Sequence, residues 1–503
     1  MTGGKDNEKD NFCCVGATMM LALLSGCGDN SASENNVETS DLYEQVMARF
    51  DGELEEGAVI KVLENDTAVE LGYVDQLINA FNEAYKDKGI SAERMNIDQY
   101  SDLATDGPYG YGPDVWYQAN DILMKYADNQ HLLPLPIYDM ECYEQIPQNA
   151  WNAYATDING ETFYCGIPLN VQSGMLYYIE SMLPENWETE WDINSNGTPD
   201  FFETYTALYA YSELCKEGGE KTKYGYLDET VDTYFMSGYL FTYGGYIFGN
   251  NGTDASDIGL ASGESYKGAR MIQQWAGQMN NTEILDTAFS SAAYQYLANG
   301  TMLCTITTPD VSRMFIRAMV STGNWTEEEA VADLKMITVP RLPVSADLTA
   351  DNWQDTITNM DELTVEMTMM GGINGYGISA YTDYPNASLA FIEFATSYEQ
   401  AVLRNEYLGV APARADAAAT ISEADATVGI LFDRLDRGLI SVMPAITEIG
   451  QLWTPAESFL IDLSTDPYRA ERGEAQMYDT DEKIQAGLAR LVTQIRDAIE
   501  TLA

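Results

Sequence analysis

The sequence contains a single histidine, His131, in 503 residues. Nucleophilic catalysis of the Ser-His-Asp or Cys-His kind needs a histidine as its base, and zinc sites commonly use several. His131 stands between Asn129-Gln130 and Leu132, which suits a packed or capping residue near a helix end. The scarcity of histidine therefore nearly excludes these hydrolase and zinc-enzyme classes.

Basic residues are scarce as well, with 26 Lys and Arg against 79 Asp and Glu, which gives a net charge of −53. A field of this sign repels nucleic acid and anionic lipid headgroups. The sequence contains no cluster of Lys or Arg that would make a local anion site. Nucleic acid and strongly anionic ligands are therefore disfavoured as partners, whereas the acidity suits a soluble surface protein.

Cysteine is sparse and scattered, with seven in the chain and no CxxC pair. Three of them lie within the first 27 residues. The other four are widely spaced, at Cys142, Cys165, Cys215 and Cys304. A small disulfide-stapled scaffold needs a denser framework than this. We therefore expect these four cysteines to be mostly buried thiols.

Long apolar stretches are missing too, apart from one near the N-terminus that runs from Phe12 to Leu24. It is shorter than the about 20 residues that span a bilayer and suits the core of a signal peptide. Ser25-Gly26-Cys27 follows, and then a polar segment rich in Ser, Asn and Glu. This order resembles a bacterial lipoprotein signal, in which the cysteine, here Cys27, is lipidated and becomes the mature N-terminus.

That resemblance implies a signal peptide over residues 1–27 and a flexible tether over residues 28–57. It also implies a lipid anchor that holds the protein at the outer face of the cytoplasmic membrane. Acidic residues before the apolar stretch depart from the positive charge that is usual there. The alternative interpretation is a buried helix that happens to end at Cys27.

The length of the chain exceeds what one hydrophobic core usually serves, and 45% of its residues are hydrophobic, so we expect two domains. The hydrophobic periodicity alternates between strand and helix. Strands are predicted at residues 58–63, 90–97, 113–117 and 302–307, and helices at residues 74–85, 121–126, 267–279, 387–407 and 481–502. This alternation indicates an α/β fold with mainly parallel sheets.

Four segments, taken in order, carry a resemblance to a known family. They are Gly112-Pro113-Asp114-Val115 followed by Asp121, Tyr296–Gly300 leading to Pro309, Leu408–Arg414, and Met443–Ile446 leading to Trp453. These segments resemble the bacterial extracellular solute-binding proteins of carbohydrate ABC importers, and in particular the maltose/maltodextrin-binding group. The resemblance runs from about Val59 to Ile495.

The family implies an α/β, two-lobed periplasmic-binding-protein fold of a type II-like kind, with the ligand cleft between the lobes. Ligands of open α/β sheets lie beyond the carboxyl ends of the strands, which agrees with such a cleft. We expect lobe 1 to comprise residues 58–170 and 340–398. We expect lobe 2 to comprise residues 171–339 and 399–503.

A neutral sugar offers hydroxyls and flat C–H faces, so its receptor needs carboxylates, amides and aromatic rings. The resemblance places two acidic ligand residues at Asp66 and Asp121 and two aromatic ones at Tyr234 and Trp453. Three positions depart from the family and carry Gln118, Gln172 and Asp310. Trp116 lies two residues before Gln118 and would replace a lost ring if both share a strand face. The alternative roles are core packing for the rings and capping for the acids.

Residues 192–203 fit the calcium-loop pattern D-x-[DN]-x-[DN]-G-x5-E. The expected Ca²⁺ ligands are Asp192, Asn194, Asn196, Thr198 through its carbonyl, Asp200 and Glu203. Pro199 replaces a residue that pairs two such loops, so a single loop with a structural ion is expected. The alternative is an acidic turn without a metal.

The function that these observations predict is capture of oligosaccharides, first of all α-glucans, by lobe closure and their delivery to an ABC importer permease. The protein would act as a monomer and would not be an enzyme. A surface adhesin for insoluble polysaccharide is one alternative. A glycoside hydrolase is another, because paired carboxylates in a sugar cleft are what that chemistry needs.

Overall fold

The structure is a computed structural model, and it describes residues 40–218 and 220–501. Residues 1–27 with Cys27, and the tether up to residue 39, lie outside the described residues. Within the described part of the chain, no helix is long and apolar enough to cross a membrane. The chain divides into two units between Gln45 and Val46, and the second unit contains both large sheets.

Strands and helices alternate along most of the chain. The strands are β1 Val59–Leu63, β2 Ser91–Arg94, β3 Val115–Ala119, β4 Ala155–Ile158, β5 Glu161–Tyr164, β6 Ile167–Ser173, β7 Met175–Ile179, β8 Tyr224–Tyr226, β9 Asp254–Ile258, β10 Met302–Thr307, β11 Leu334–Ile337, β12 Leu342–Pro343, β13 Thr364–Val365, β14 Met369–Ile378, β15 Ala411–Pro412 and β16 Ile440–Val442. The helices in the first half are α1 Asp41–Val46, α2 Asp66–Glu70, α3 Tyr73–Ala84, α4 Leu103–Asp106, α5 Asn120–Asp128, α6 Gln148–Asn152, α7 Trp187–Glu190, α8 Asp200–Glu203, α9 Tyr205–Glu217, α10 Thr233–Thr242 and α11 Gly249–Gly252. Those in the second half are α12 Ser265–Met279, α13 Phe289–Ala298, α14 Ser312–Ser321, α15 Glu327–Asp333, α16 Trp353–Thr358, α17 Met360–Leu363, α18 Pro385–Ala395, α19 Tyr398–Leu408, α20 Ala415–Ser422, α21 Ala426–Asp436, α22 Trp453–Glu471 and α23 Asp481–Glu500.

The first sheet has the strand order β15-β6-β14-β3-β1-β2, with β16 also paired to β14. The strands β1, β2 and β3 run parallel, as βαβ connections require. Strand β14 enters between β3 and β6 and runs antiparallel to both. The expectation of mainly parallel sheets was therefore wrong for this half of the sheet, because β14 returns from a distant part of the chain.

The second sheet has the order β11-β7-β10-β8, and only its β10–β8 pair is parallel. Helices α10, α12 and α22 pack together beside this sheet and enclose the core residues Trp275 and Tyr239. Each sheet with its helices forms one lobe, so the expected two-lobed α/β architecture is present.

Within residues 40–218 and 220–501, the chain passes between the two lobes at three places. The first is Gly174, between β6 and β7, and the second is the segment 366–368 before β14. The third is the segment 443–452, which joins β16 of the first sheet to α22 of the second lobe. A fold built this way brings residues far apart in sequence to the border between the lobes.

The expected lobe boundaries were wrong for two long segments and for residues 171–173, which were assigned to lobe 2 but form the end of β6 in the first sheet. Residues 399–442 were assigned to lobe 2, but β15 pairs with β6 and α21 packs on β6, in the first sheet. Residues 340–363 were assigned to lobe 1, but α16 packs on α9, in the second lobe. The chain returns to lobe 1 only with β14, and α22 and α23 then complete lobe 2.

The end of the expected tether is docked rather than free. The Arg49 guanidinium donates hydrogen bonds to the carbonyls of Ala380, at 2.9 Å, and Thr382, at 2.6 Å. The Glu55 carboxylate accepts from the backbone N–H groups of Asn386, at 2.9 Å, and Ala387, at 2.8 Å, in the first turn of α18. Acidic groups are favourable at a helix N-terminus, so this contact fixes the segment to lobe 1.

The four cysteines at positions 142, 165, 215 and 304 are buried free thiols, as expected. Cys165 shows the environment they share. Burial among apolar side chains raises the pKa of its thiol to about 12. Such thiols are protonated and inert at neutral pH.

Candidate functional site

Gln99, in the loop that follows β2, joins three of the predicted ligand residues. Its backbone carbonyl accepts hydrogen bonds from Trp116 Nε1, at 3.1 Å, and from Gln118 Nε2, at 2.5 Å. Its side-chain Oε1 accepts from the backbone N–H of Asp66, at 3.1 Å. The sequence gives Gln99 no motif, so its role as the connecting residue was not predicted.

Trp116 and Gln118 lie on one face of β3, as their spacing predicted, and both are buried. Trp116 is only 1% exposed and its ring packs edge-on against Tyr126 at a centroid distance of 5.2 Å. A ring without an open face cannot stack on a ligand. The expectation that Trp116 replaces a lost stacking ring is therefore not met in this structure.

Asp66 is the first residue of α2, and it is exposed. The neighbouring Asn65 performs the capping role, because its side chain accepts from the backbone N–H of Ala68 at 2.7 Å. The carboxylate of Asp66 is therefore not needed as the cap, and it lies open to solvent beside Gln99.

Asp121 lies in the first turn of α5, directly after β3. Its Oδ1 is buried and has no hydrogen-bond partner within the described residues, and burial raises the pKa of its carboxyl above the usual value. The preceding Asn120 fixes this helix end, since its side chain bonds to the carbonyl of Met443 at 2.8 Å and the N–H of Ile373 at 3.3 Å. Asp121 thus offers a positioned acceptor oxygen.

A second group of predicted residues meets where the lobes join. Gln172, near the end of β6, accepts a hydrogen bond from Asn374 Nδ2 at 2.9 Å, and Tyr234 donates its hydroxyl to the Gln172 carbonyl at 3.3 Å. The Gln172 side chain also acts on the Asp310 carboxyl and offsets part of the rise in its pKa that burial causes. Lobe 2 contributes Tyr234 and Asp310 to this group, and lobe 1 contributes Gln172 and Asn374.

Asp310 has the surroundings of a residue on a concave wall. Asp310 is exposed. Neighbouring groups nevertheless raise the pKa of its carboxyl, chiefly by desolvation, which outweighs the opposing effect of the Thr308 and Gln172 side chains. Surface that is both accessible and crowded is what a cleft provides.

Asp232 was not predicted but belongs to the same region. Its carboxylate caps α10 by accepting from the N–H groups of Tyr234, at 2.7 Å, and Phe235, at 3.1 Å. The charge of Glu457, on α22, acts on it and contributes to a raised pKa, whose main cause is burial. Glu457 lies four residues after the half-buried Trp453, on the same helix face, so the start of α22 turns toward this group.

The first sheet connects the two groups. Strand β14 lies between β3 and β6, with Gly375 opposite Gln118 and Gly372 opposite Gln172. A side chain at Gly375 would place a Cβ only 2.2 Å from the carbonyl oxygen of Ile167, so the close strand packing requires glycine there. Gly375 thus allows β14 to pack closely beside β6, and β14 joins the strands that carry Gln118 and Gln172.

The candidate site therefore consists of carboxylates, amides and the rings of Tyr234 and Trp453. None of the ion pairs formed by the described residues involves its acids Asp66, Asp121 or Asp310. Such a set accepts and donates hydrogen bonds but opposes an anionic ligand. Its chemistry suits the hydroxyl groups and apolar faces of a neutral polyol.

A separate cavity of about 500 Å³ lies elsewhere and shares no residue with this site. It is lined by β16, by Asn149 and Asn152, and by the segment from Tyr246 to Gly252. Asn250 and Asn251 of that segment adopt left-handed backbone conformations. Because this cavity shares no residue with the candidate site, it does not define that site.

Glu229 is a buried acid next to the site and gives a pH-dependent prediction. Burial, together with the charges of Asp232 and Glu457, raises the pKa of its carboxyl to about 7, although a hydrogen bond from Ser290 opposes the shift. The pKa of a glutamate in the unfolded chain is about 4.3. The contribution of Glu229 to the free energy of unfolding is therefore fully present below about pH 4.3 and is lost as the pH rises through about 7.

We therefore expect Glu229→Gln to raise the free energy of unfolding by an amount on the order of 2 kcal/mol at pH 8 and to change it little at pH 4. Urea denaturation at both pH values measures the difference. The exposed Glu328→Gln is the matched control and should show no such pH dependence. An equal effect of Glu229→Gln at both pH values would contradict the assignment.

The six predicted calcium ligands lie on one loop of lobe 2, between α7 and α9, and are separate from the ligand residues described above. Three are carboxylates, two are amides and one is a backbone carbonyl. Among the residues that the structure describes, no group of three or more His, Cys, Asp or Glu side chains is gathered as a metal centre. Any ion in this loop would therefore depend on the amides and the carbonyl as well.

Comparison with known proteins gives a consistent result. A family described as bacterial extracellular solute-binding protein matches residues 76–428. The maltodextrin-binding protein MdxE of Bacillus subtilis is 23% identical over 465 residues, which cover 91% of this chain and 93% of that protein. A galactooligosaccharide-binding protein of the same organism is 22% identical over 409 residues, covering 79% and 83%.

Solved structures agree in fold. The maltose-binding protein MalE of Listeria monocytogenes, in complex with maltose, has a TM-score of 0.65 at 18% identity and covers 88% of this chain and 98% of its own. MalX of Streptococcus pneumoniae, in complex with maltopentaose, has a TM-score of 0.64 at 19% identity and covers 88% and 100%. At these identities the similarity shows the shared two-lobed fold.

Proposed function

The chain belongs to the family of bacterial extracellular solute-binding proteins, and we propose that it captures neutral oligosaccharides, first of all maltooligosaccharides. The observation that supports this most is the group of Gln172, Asn374, Tyr234 and Asp310 at the border of the lobes, where amide, hydroxyl and carboxylate groups meet. The relative named for maltodextrin binding aligns over most of both chains, which favours the same class of ligand.

The proposed mechanism is closure of the lobes on the sugar. Lobe 1 would bring Asp66, Gln118 and Asp121, and lobe 2 would bring Tyr234 and Asp310. The closed state is favoured because only there does one ligand contact both sets, and differential affinity is what shifts a conformational equilibrium. The closed, loaded protein would then deliver its sugar to the membrane permease of an ABC importer.

We also propose that the protein works outside the cell on a lipid anchor. Cys27 would carry the lipid as the first residue of the mature chain, after removal of residues 1–26, and the relatives include solute-binding lipoproteins. Mass spectrometry of the membrane fraction tests this, with loss of the lipid in Cys27→Ala as the expected result.

The two named ligand classes among the relatives, maltodextrin and galactooligosaccharide, occur at nearly equal identity. Gln118, Gln172 and Asp310 occupy positions at which the resemblance implies other residues, and they are the positions where the choice between the two sugars would be made. Galactooligosaccharide is therefore the second candidate ligand.

We expect maltotriose to produce a saturable change in tryptophan fluorescence of the chain after Cys27, with a Kd in the micromolar range. Trp453→Ala should raise the Kd, measured by calorimetry, by about 10- to 100-fold, because stacking aromatics contribute about 1.4–2.8 kcal/mol. Trp325→Phe, outside the candidate site, is the control and should leave the Kd unchanged. Binding of a galactooligosaccharide but not of maltotriose would make galactooligosaccharide the ligand in place of maltooligosaccharide. Binding of neither sugar would overturn the proposal.

A further inference from the structure

The loop formed by residues 192–203 is folded around its own first residue. Asp192 Oδ1 accepts from the N–H of Asn196, at 3.0 Å, and Oδ2 accepts from the N–H of Gly197, at 3.1 Å. Ser195 and Gly197 have positive φ angles of 58° and 81°, which turn the chain sharply at these two points. The side chains at alternate positions are thereby directed toward a common interior.

The last residue of the loop closes this interior. Glu203, at the end of α8, accepts from Asn194 Nδ2 at 2.9 Å through Oε2 and from Asn196 Nδ2 at 2.6 Å through Oε1. The oxygen of each amide accepts from a backbone N–H group: Asn194 Oδ1 from Asn196, at 3.1 Å, and Asn196 Oδ1 from Thr198, at 2.8 Å. A cation bound in this interior would compete with the two amide nitrogens for the Glu203 carboxylate.

Asp200 supplies the observation that indicates a bound ligand. It is 0% exposed, and while Oδ2 accepts from the N–H of Ile193 at 3.1 Å, Oδ1 is buried with no hydrogen-bond partner among the described residues. A buried carboxylate oxygen without a partner is costly, and native proteins rarely leave one. The charges of Glu203 and Asp192 also contribute to a raised pKa of this carboxyl, whose main cause is burial.

The loop has no positive charge of its own to offset these acids. None of the ion pairs made by the described residues includes Asp192, Asp200 or Glu203. Three carboxylates, two amides and the carbonyl of Thr198 are hard oxygen donors, and no nitrogen or sulfur ligand is among them. This donor set, large and formed by oxygen alone, suits Ca²⁺ better than the smaller Mg²⁺ or a transition metal.

We propose that residues 192–203 bind one Ca²⁺ ion through Asp192, Asn194, Asn196, Thr198, Asp200 and Glu203. The ion would take the place of the missing partner of Asp200 and of the amide contacts to Glu203. Pro199 interrupts the position at which two such loops pair, so this is a single loop that folds with its ion.

Binding of the ion would stabilise an aromatic cluster of lobe 2. Trp191, next to Asp192, stacks on Trp353 at a centroid distance of 4.4 Å and packs edge-on against Phe201, at 5.5 Å. The carbonyl of Trp191 accepts from the N–H of Asp200 at 2.5 Å, which ties the loop directly to this cluster. A ligand that binds only the folded loop therefore raises the melting temperature of the protein.

Terbium luminescence tests the proposal, because Tb³⁺ replaces Ca²⁺ and is excited by a nearby tryptophan, here Trp191. We expect the full chain to show saturable Tb³⁺ emission on excitation of tryptophan, and Ca²⁺ to displace the Tb³⁺ much more effectively than Mg²⁺. We also expect Ca²⁺ to raise the melting temperature and EGTA to reverse this rise. These readouts need no sugar, so their failure would leave the proposed ligand capture untouched.

Two variants complete the test. Glu203→Gln should weaken Ca²⁺ affinity at least tenfold while the far-ultraviolet circular dichroism remains native. Glu190→Gln, an exposed acid just before the loop, is the matched control and should bind as the unaltered chain does. Absence of sensitised emission, equal displacement by Mg²⁺, or equal affinity in Glu203→Gln and the unaltered chain would overturn the proposal.

Discussion

Replacing Arg404 with methionine is expected to lower the free energy of unfolding by about 3–5 kcal/mol, because it leaves Glu64 as a buried charge without its cation. The two side chains are 2% and 0% exposed, and Arg404 Nη1 lies 2.7 Å from Glu64 Oε1. The guanidinium also lies over the rings of Tyr117, at 4.3 Å, and Tyr73, at 4.9 Å. Urea denaturation followed by circular dichroism measures the loss.

A double substitution separates the stranded charge from the lost packing. With Glu64→Gln added to Arg404→Met, no charge remains buried, and we expect most of the lost stability to return. Arg472→Met is the control, because its ion pair with Glu474 is half exposed and such pairs contribute about 0–1 kcal/mol. If the double variant were as unstable as Arg404→Met, lost packing rather than the charge would be the cause.

The same pair acts on the candidate site. Glu64 Oε2 accepts from the backbone N–H of Asn65 at 3.1 Å, and Asn65 caps the helix that begins with Asp66. Glu64 also accepts the hydroxyl of Tyr376, on the central strand β14. A buried ion pair is weak evidence for stability, but here it fixes the start of α2 relative to the sheet.

Replacing Gly268 with alanine is the second substitution with a large expected effect, a loss of about 1–3 kcal/mol from overpacking. A Cβ at this position would lie 1.9 Å from the carbonyl oxygen of Tyr239, so α12 and α10 would have to separate. Alanine favours a helix interior over glycine by about 1 kcal/mol. The clash outweighs this gain because the obstructing atom belongs to a helix backbone, which cannot rotate away as a side chain can.

Gly277→Ala, in the same helix, is the matched control. Its Cβ would meet only the side chain of Pro467, at 3.2 Å, so we expect stability within about 1 kcal/mol of the unaltered chain. Thermal denaturation of both variants measures the contrast. Equal stabilities would show that the packing of α10 on α12 adjusts freely at Gly268.

The elements that sequence predicted best are those whose signal is local. The last helix was expected over residues 481–502 and runs Asp481–Glu500, with the apolar stripe from Ile484 to Ile495 buried. The strand at 302–307 has the expected bounds. A single helix over 387–407 was wrong, because Ser397 accepts from the N–H of Gln400 and begins a new helix there. The capping signal was present but lay inside a continuous hydrophobic pattern.

The candidate site was less predictable because it depends on strand order. Gln172 meets Asn374 only because β14, which begins some 200 residues later, pairs beside β6. Gln99 makes two of its three contacts through its backbone carbonyl, which any residue would supply. The burial of Trp116 likewise results from Tyr126 and Gln99 covering it, which strand periodicity cannot indicate. Local pattern thus predicts elements, and pairing over long distances determines which side chains meet.

The connection at Gly174 limits how the lobes can move. One residue separates the end of β6 from the start of β7, and two peptide steps span at most about 7.6 Å, so the sheets cannot draw apart there. A Cβ on Gly174 would lie 2.6 Å from the side chain of Met369, just after the second connection, so these two connections lie side by side. The proposed movement of the lobes would therefore be a rotation about an axis near Gly174. Because displacement in a rotation grows with distance from the axis, small changes in the backbone dihedral angles at Gly174 would produce large displacements at the mouth of the cleft.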